Sequence, residues 1–262
     1  MVIDLSGRVA IVTGAGAGIG REIALTLARE GVRTVAFDLS QPALDELGRV
    51  FAAEGFDGLQ VRCDVSDSAS VAAAVEQVVG TFGRIDIVVN NAGVFSAGSV
   101  ETLPEEKWDL NFAVNTKGTF LVSQAVIPVM KKQKSGRIIN AASFAAIIPS
   151  CNTAAYAASK GAVVSLTRVM AGELGPFGIT VNCYAPGMVP TGMNNFDKLD
   201  DAEQNRLLDL LSIRRWQTAE DVAHLICFLA SDQASYITGT LVDVSGGKLA
   251  TQIPAKAYEG LS

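Results

Sequence analysis

The chain has 262 residues, of which 49% are hydrophobic and 18% charged, a composition typical of a globular protein with a large core. Its formal net charge of −6 disfavours nucleic acid and anionic membranes as partners. The cysteines, Cys63, Cys151, Cys183 and Cys227, lack C-x-x-C spacing, so we expect free thiols in a reducing compartment rather than a metal site or disulfide framework.

Short apolar runs alternate with amphipathic helical segments along the whole chain. Strands are predicted near 9–12, 34–37, 59–63, 85–89, 136–140, 178–183 and 241–244, and helices near 20–30, 42–54, 69–82, 105–133, 154–175 and 218–230. This alternation predicts one α/β domain over residues 1–262, a Rossmann fold with a doubly wound, mostly parallel seven-stranded sheet and helices on both faces. Ligands of such sheets bind beyond the carboxyl ends of the strands.

The first predicted strand runs directly into a glycine-rich loop at 13–20, which is followed by a helix. Strand, glycine loop and helix in this order are the context of a dinucleotide-binding fingerprint, in which the helix N-terminus holds the pyrophosphate. The second strand ends at Asp38, where a carboxylate would hold the adenosine ribose. A ribose phosphate would meet this carboxylate, and neither Ala17 nor Leu39 offers a compensating cation, so NAD is predicted over NADP.

Tyr156 and Lys160 lie four residues apart in a run of good helix formers, which places both side chains on one helix face. A unit charge about 4 Å away, at an effective dielectric constant of about 20, is worth roughly 4 kcal/mol, or about 3 pKa units. We therefore expect the lysine to lower the pKa of the phenol from about 10 toward neutrality, where a proton donor and acceptor works best. Such pairs also arise by chance on helices, so the surrounding motifs carry the interpretation.

Together these motifs resemble the classical short-chain dehydrogenase/reductase family, from about residue 5 to residue 247. The other matching segments, in family order, are Asp64-Val65, Asn90-Asn91-Ala92-Gly93, Asn115, Ser143 and Pro186-Gly187. One departure follows Ser143, where the chain reads Phe144-Ala145-Ala146 and many relatives carry a glycine. This departure affects the wall of the pocket more than the chemistry.

The resemblance implies an oxidoreductase in which a bound dinucleotide accepts or donates a hydride. Tyr156 would be the general base in oxidation and the acid in reduction, and Ser143 would orient the substrate oxygen. Lys160 would lower the phenol pKa and hold the nicotinamide ribose, and Asn115 would anchor a water that relays protons to solvent.

The cofactor contacts that the resemblance implies run along the whole cleft. They are Gly14, Gly18, Ile19 and Gly20 at the pyrophosphate, Asp38 at the adenosine ribose, Asp64 and Val65 at the adenine, Asn91, Ala92 and Gly93 at the middle of the cofactor, and Tyr156, Lys160, Pro186, Gly187, Val189 and Thr191 at the nicotinamide end. Asp64 could also cap the helix that follows it, and the two roles are compatible.

The substrate pocket of the family is walled by the stretch after Ser143, the segment past Gly93 and a helix-rich insert at about 188–215. These segments supply Phe95, Phe144, Ile147, Cys151, Asn152, Tyr184, Met188 and Met193. Because this surface carries few charges and no arginine is evident near it, we expect a neutral polyol, sugar alcohol or similar secondary alcohol and its ketone as the small-molecule substrate.

Two other functions stay open. A 3-oxoacyl thioester reductase resembles the chain throughout; Asp38 and the net negative charge argue against it, although Lys131, Lys132 and Lys134 form a small basic cluster that could dock an acidic acyl carrier. A catalytically silent dinucleotide sensor is disfavoured, because the four catalytic residue types are all present.

Helices near 105–133 and 154–175 are apolar around much of their circumference, and relatives pair these helices between subunits, so we expect a homotetramer. The tail at 248–262 could reach a neighbour or close the pocket. His224 is the only histidine and fits a packing or surface role, so no metal site is expected. The N-terminal segment lacks the features of a signal peptide and no apolar run could span a bilayer, which predicts a cytoplasmic protein.

Overall fold

The structure is a computed structural model that describes residues 3–192, 194 and 196–260. Its strands are β1 (Val9–Thr13), β2 (Arg33–Asp38), β3 (Gly58–Arg62), β4 (Ile87–Asn90), β5 (Gly136–Ala141), β6 (Ile179–Pro186) and β7 (Leu241–Val244). Its α-helices are α1 (Gly18–Arg29), α2 (Gln41–Glu54), α3 (Ser68–Phe82), α4 (Glu105–Asn111), α5 (Thr119–Gln133), α6 (Ala154–Leu174), α7 (Asp201–Leu208) and α8 (Ala219–Ala230). The predicted strands and helices are present with bounds that differ by at most three residues, except that the helix predicted over 105–133 is divided.

The seven strands form one sheet in the order β3-β2-β1-β4-β5-β6-β7. Every strand pairs in parallel with its neighbours, so the predicted Rossmann architecture is confirmed and the sheet is wholly parallel. The strand order reverses between β1 and β4, and the carboxyl ends of these two strands flank the crevice in which a doubly wound sheet binds its ligand.

Both faces of the sheet are buried, as a parallel sheet covered by helices requires. Alternate residues of β1 belong to opposite cores: Ala10 and Val12 pack with α1, α2 and α8, whereas Val9 and Ile11 pack with α3, α5 and α6. Because successive side chains of a strand point to opposite faces, one apolar run feeds both cores.

The predicted long helix over 105–133 is not uniformly α-helical. A π-helical segment, Phe112–Gly118, lies between α4 and α5 and contains Asn115. Such segments are rare and often mark functional sites. The hydrophobic pattern of the sequence continues through it, which is why the sequence predicted a single α-helix.

Helix α7 lies inside the predicted insert at 188–215, so that stretch is helical only in part. No helix of the described ranges is both long and apolar enough to cross a membrane.

Candidate active site

A cleft of about 400 Å³ opens at the carboxyl ends of the strands. It is lined by Gly14, Ala17, Gly18, Ile19, Asp38, Asn91, Ala92, Gly93, Ala141, Ala142, Ser143, Tyr156, Lys160, Tyr184, Pro186, Gly187, Val189, Thr191, Gly192 and Asn194. Three of the four predicted catalytic residues and most predicted cofactor contacts therefore lie in one cleft, although they are far apart in sequence. Among the described lining residues, Asp38 and Lys160 are the charged ones.

The glycine loop is shaped by close backbone approaches. Gly14 has a φ of +64°, and a β-carbon on Gly20 would lie 2.1 Å from the carbonyl oxygen of Gly14. A side chain at Gly16 would lie 2.8 Å from a carboxylate oxygen of Asp38. Gly14, Gly18 and Ile19 line the cleft, whereas Gly20 packs behind the loop and does not. The loop leaves room at the N-terminus of α1 for a pyrophosphate, so the residues present fit a dinucleotide.

Asp38 is held by two backbone N–H groups at the end of β2. One carboxylate oxygen accepts a hydrogen bond of 2.8 Å from Gly16 N, and the other accepts one of 2.9 Å from Ser40 N. These bonds fix the negative charge beside the glycine loop. The carboxylate lines the cleft, and its contact with the adenosine ribose stays a prediction.

Asp64 and Val65 do not line the cleft. Asp64 accepts hydrogen bonds from the backbone N–H and the hydroxyl of Ser66, and Val65 is buried against Gly118. The alternative role of Asp64 as the cap of α3 is wrong, because the N-cap is Asp67, which accepts from the backbone N–H groups of the first turn. The contact of Asp64 and Val65 with adenine stays a prediction.

Asn91, Ala92 and Gly93 follow β4 and form the middle of the cleft. The hydroxyl of Thr13 accepts hydrogen bonds from the backbone N–H groups of Asn91 and Ala92, at 3.0 and 2.9 Å. These bonds tie the end of β4 to the end of β1, across the point where the strand order reverses.

The turn after β6 carries the residues predicted to contact the nicotinamide. Gln217 accepts a 2.7 Å hydrogen bond from Gly187 N, and a β-carbon on Gly187 would lie 2.8 Å from Ser245 Cα, so this turn is tightly held. Asn194 accepts a hydrogen bond from Thr191 N and donates one to Val189 O. Asn194 thereby shapes the segment that carries two predicted cofactor contacts.

Tyr156 and Lys160 lie on one face of α6, as their spacing predicts. Lys160 Nζ lies 5.8 Å from the centroid of the Tyr156 ring and donates a 2.8 Å hydrogen bond to Ala141 O, at the end of β5. Ser143 follows β5 and its hydroxyl bonds to the Tyr156 phenol. Serine, tyrosine and lysine therefore converge at the cleft, where they can bind and protonate a substrate oxygen.

Burial governs the electrostatics of this group. It raises the pKa of the Tyr156 phenol, and the hydrogen bond from Ser143 lowers that pKa by less. Burial also lowers the pKa of Lys160 to about 8. The predicted fall of the Tyr156 pKa toward neutrality is therefore wrong in this structure: the loss of solvation outweighs the nearby ammonium, which is directed to a backbone carbonyl.

Asn115 lies in the π-helical segment and does not line the cleft. Its side chain is fully buried, accepts a hydrogen bond from Val94 N at 2.8 Å, and donates to Val94 O and to the Ser159 hydroxyl, each at 3.0 Å. Asn115 therefore fastens the segment past Gly93 to α6 beside Lys160. The predicted relay water is not tested by these bonds and stays a prediction.

Few of the predicted substrate-wall residues line the cleft itself. Phe95 packs edge-on against Tyr156 with ring centroids 5.2 Å apart, which places it at the entrance. Phe144 is buried with the ammonium of Lys248 4.9 Å from its ring centroid, and Met188 borders a smaller separate cavity. Ile147, Cys151 and Asn152 are exposed on the loop after β5. Met193 lies outside the described residues.

The sequence did not single out Ala141, Ala142, Gly192 and Asn194, which line the cleft. Tyr184 was predicted on the substrate wall, but its hydroxyl contacts Asn91, in the middle of the cleft. The small residues among them carry no chemical signal, although Ala141, at the end of β5, and Ala142 could have been found from their position directly before Ser143. Over the described residues, no group of three or more His, Cys, Asp or Glu side chains is placed to hold a metal ion.

Fold and site together define an oxidoreductase that acts on CH–OH groups with a nicotinamide dinucleotide. A family model described as enoyl-(acyl carrier protein) reductase matches residues 14–248. The chain belongs to the classical short-chain dehydrogenase/reductase family, as its motifs predicted.

Relatives with established names act on different substrates. The chain is 40% identical to 3-oxoacyl-[acyl-carrier-protein] reductase of Thermotoga maritima, with 93% of this chain and 98% of the relative covered. It is 39% identical to a subunit of (2S)-[(R)-hydroxy(phenyl)methyl]succinyl-CoA dehydrogenase of Thauera aromatica, over 94% of this chain and 98% of the relative.

Solved structures give the same fold. A structure from Beutenbergia cavernae, described as a candidate NAD(P)-dependent gluconate 5-dehydrogenase with NADP bound at low occupancy, superposes with a TM-score of 0.89 at 37% identity, covering 95% of this chain and 99% of that one. Levodione reductase superposes with a TM-score of 0.89 at 35% identity, covering 94% of this chain and 99% of that one.

Proposed function

We propose that the protein is an NAD(H)-dependent oxidoreductase that interconverts a neutral secondary alcohol, such as a polyol or sugar alcohol, and its ketone. The observation that carries the proposal is the placement of Asp38 in the cleft that also holds Tyr156 and Ser143. The carboxylate is fixed by Gly16 N and Ser40 N, so it cannot turn away from a ribose phosphate without losing two hydrogen bonds. NAD has a ribose diol at that position, and its hydroxyls can donate hydrogen bonds to the carboxylate.

The nicotinamide ring supplies the hydride chemistry when it is bound. Gly14, Gly18 and Ile19 would hold the pyrophosphate, and Pro186 and Gly187 would border the nicotinamide. The same cleft therefore offers a place for each end of the dinucleotide.

Proton transfer is the task of the chain's own residues. The raised pKa keeps the Tyr156 phenol protonated at neutral pH, which suits donation of a proton to a ketone oxygen in the reductive direction. With a pKa of about 8, Lys160 is still mostly charged at pH 7, and its charge favours the phenolate in the oxidative direction. Ser143 would hydrogen-bond the substrate oxygen and set its orientation.

A 3-oxoacyl thioester reductase is the second candidate function. The reductase of Thermotoga maritima, at 40% identity, favours it about as well as the structures described as gluconate 5-dehydrogenase and levodione reductase favour the first. The basic cluster predicted to dock an acyl carrier gives weaker support, because the ammonium of Lys131 lies 4.3 Å from the centroid of the Phe177 ring. The anchored Asp38 also opposes NADPH.

The two functions can be separated by turnover measurements on the purified protein. We expect polyols and sugar alcohols to reduce NAD, and acetoacetyl thioesters with NADPH to react at least about tenfold more slowly. The reverse order would assign the thioester reductase. Silence with every alcohol and ketone, despite measured NADH binding, would instead assign the dinucleotide sensor.

We further propose a cytoplasmic homotetramer. Helices α4, α5 and α6 expose large apolar side chains, among them Trp108, Phe120 and Val169. Burial of these side chains between subunits would be favourable. Light scattering after size-exclusion chromatography measures the mass of the assembly. We expect the mass of a tetramer, and a monomer at micromolar concentration would contradict the proposal.

A further inference from the structure

Tyr184 is a buried phenol in the cleft that the four catalytic residues do not include. It lies on β6, two residues before Pro186, and is completely inaccessible to solvent. Its ring lines the cleft, and its hydroxyl lies 3.1 Å from the side-chain oxygen of Asn91. A phenol at this depth needs a partner for its proton, and Asn91 provides it.

The direction of this hydrogen bond is determined by the other end of the Asn91 amide. The nitrogen of that amide lies 3.2 Å from Thr13 O and 3.4 Å from Gly14 O, both of which can only accept. The amide oxygen must therefore face Tyr184, and the phenol donates. Burial raises the pKa of the Tyr184 phenol, so the phenol keeps its proton at neutral pH.

This arrangement forms a bridge between distant strands. It starts at β6, reaches Asn91 after β4, and ends at the two carbonyls that open the glycine loop after β1. The amide nitrogen of Asn91 also fills the space beside Gly20, since a β-carbon there would lie 2.4 Å from it. Loss of the Tyr184 hydroxyl would leave the Asn91 amide oxygen without a partner on that side, so the amide would be held at its nitrogen alone.

The ring and the hydroxyl of Tyr184 have separable functions. The ring fills volume in the core shared with α1 and α8, and a phenylalanine would fill it equally well. The hydroxyl contributes only the bond to Asn91 among the described contacts. A substitution that removes the oxygen alone therefore tests the bridge without creating a cavity.

We propose that Tyr184 is a positioning residue for the dinucleotide: its hydroxyl locks the Asn91 amide, which in turn holds the Thr13–Gly14 backbone in the conformation that receives the pyrophosphate. It does not take part in proton transfer. The inference rests on the proposed dinucleotide-binding function and adds a residue outside the family motifs described above.

The test compares NADH binding by fluorescence titration in the wild-type protein, Tyr184→Phe and the control Tyr236→Phe, whose side chain is fully exposed. We expect Tyr184→Phe to raise the NADH dissociation constant about three- to tenfold, the range for one net hydrogen bond, and Tyr236→Phe to leave it unchanged. The KM for NADH should rise by the same factor, while kcat at saturating NADH and its pH profile stay the same within about twofold.

A double-mutant cycle with Asn91→Ala shows whether Tyr184 acts through Asn91. We expect the double variant to bind NADH no more weakly than Asn91→Ala alone. If the fold-changes in the NADH dissociation constant of the two single variants multiply in the double variant, the proposal is overturned. An unchanged dissociation constant in Tyr184→Phe would also overturn it. A lower melting temperature with unchanged NADH affinity would show that the hydroxyl only stabilises the fold. A wild-type protein that binds neither NADH nor NADPH would contradict the proposed function itself, and the inference with it.

Discussion

The nucleotide end of the cleft and the substrate end are built differently. At the nucleotide end, the loop at 13–20 and Asp38 are held by backbone hydrogen bonds and by close backbone packing at strand ends. At the substrate end, the segments at 93–102, 144–153 and 188–215 are mostly irregular and are held by side chains such as Asn115, Asn194 and Gln217. The first region therefore accepts a ligand that the fold itself specifies, whereas the second can change its substrate by side-chain replacement.

The largest expected effect separates chemistry from binding. Tyr156→Phe removes the proton donor and acceptor, and we expect turnover to fall between about a hundredfold and ten-thousandfold. NADH affinity should stay within a few-fold, because the nucleotide end is untouched. Steady-state kinetics and NADH fluorescence titration on the same preparation measure the two quantities. Near-normal turnover in this variant would remove the assigned role of the phenol.

Replacement of Lys160 should make the protein more stable while it becomes less active. Burial lowers the Lys160 pKa from 10.5 to about 8, which at pH 7 costs about 3 kcal/mol of stability, and the hydrogen bond to Ala141 O returns about 1 kcal/mol. We therefore expect Lys160→Met to raise the free energy of unfolding at pH 7 by about 2 kcal/mol, measured by denaturant titration.

The stability gain of Lys160→Met should depend on pH, because folding lowers the pKa of Lys160. The unfolded chain binds the lysine proton up to about pH 10.5, whereas the folded chain releases it near pH 8, so the cost is full below pH 8 and disappears toward pH 10.5. The advantage of Lys160→Met should shrink over that range. A variant that is less stable than the wild type at pH 7 would show that the ammonium is solvated or paired.

Gly20→Ala tests the backbone packing of the nucleotide end. A β-carbon 2.1 Å from Gly14 O forces the loop to move, and we expect NADH affinity to fall about thirtyfold, equivalent to about 2 kcal/mol of overpacking. Gly80→Ala is the matched control, because Gly80 lies in α3 and its added β-carbon would enter open space. Equal NADH affinity in the two variants would contradict the proposed role of the glycine loop in holding the pyrophosphate.

The backbone around the glycine loop and Asp38 could be predicted from the sequence, because residue type and spacing indicate it directly. Glycines are needed where backbones meet, as at Gly14 and Gly20, and a carboxylate at the end of β2 has a defined position in the fold. Parallel strand order also brings Ser143 and Lys160 to the same edge of the sheet. These requirements come from the course of the backbone, which the hydrophobic periodicity and residue spacing of the sequence indicate.

The remainder depends on side-chain orientation, which spacing does not encode. The π-helical segment around Asn115 has the same apolar pattern as an α-helix, so it was missed. Phe144 was expected in the substrate wall but is buried beneath it, with Lys248 against its ring. The pKa of Tyr156 was misjudged for a related reason, because the spacing of a tyrosine and a lysine gives their charge interaction but not the burial that opposes it.

The smallest expected effect concerns this phenol directly. Tyrosine ionisation in the free protein is followed by near-ultraviolet absorbance, and the difference between the wild type and Tyr156→Phe isolates one phenol among four. We expect its midpoint to lie above 10, because burial raises the pKa by more than Ser143 lowers it. A midpoint below 10 would mean that the Lys160 charge outweighs burial, as the spacing alone suggested.

We propose that the anchored Asp38 carboxylate makes this cleft a site for NAD rather than NADP. The most direct measurement is the binding of NADH and NADPH to the substrate-free protein, in the wild type and in Asp38→Ser. We expect the wild type to bind NADH at least about tenfold more tightly than NADPH, because a phosphate beside a fixed carboxylate is repelled, and we expect Asp38→Ser to reduce this ratio. Equal or tighter binding of NADPH by the wild type would contradict it.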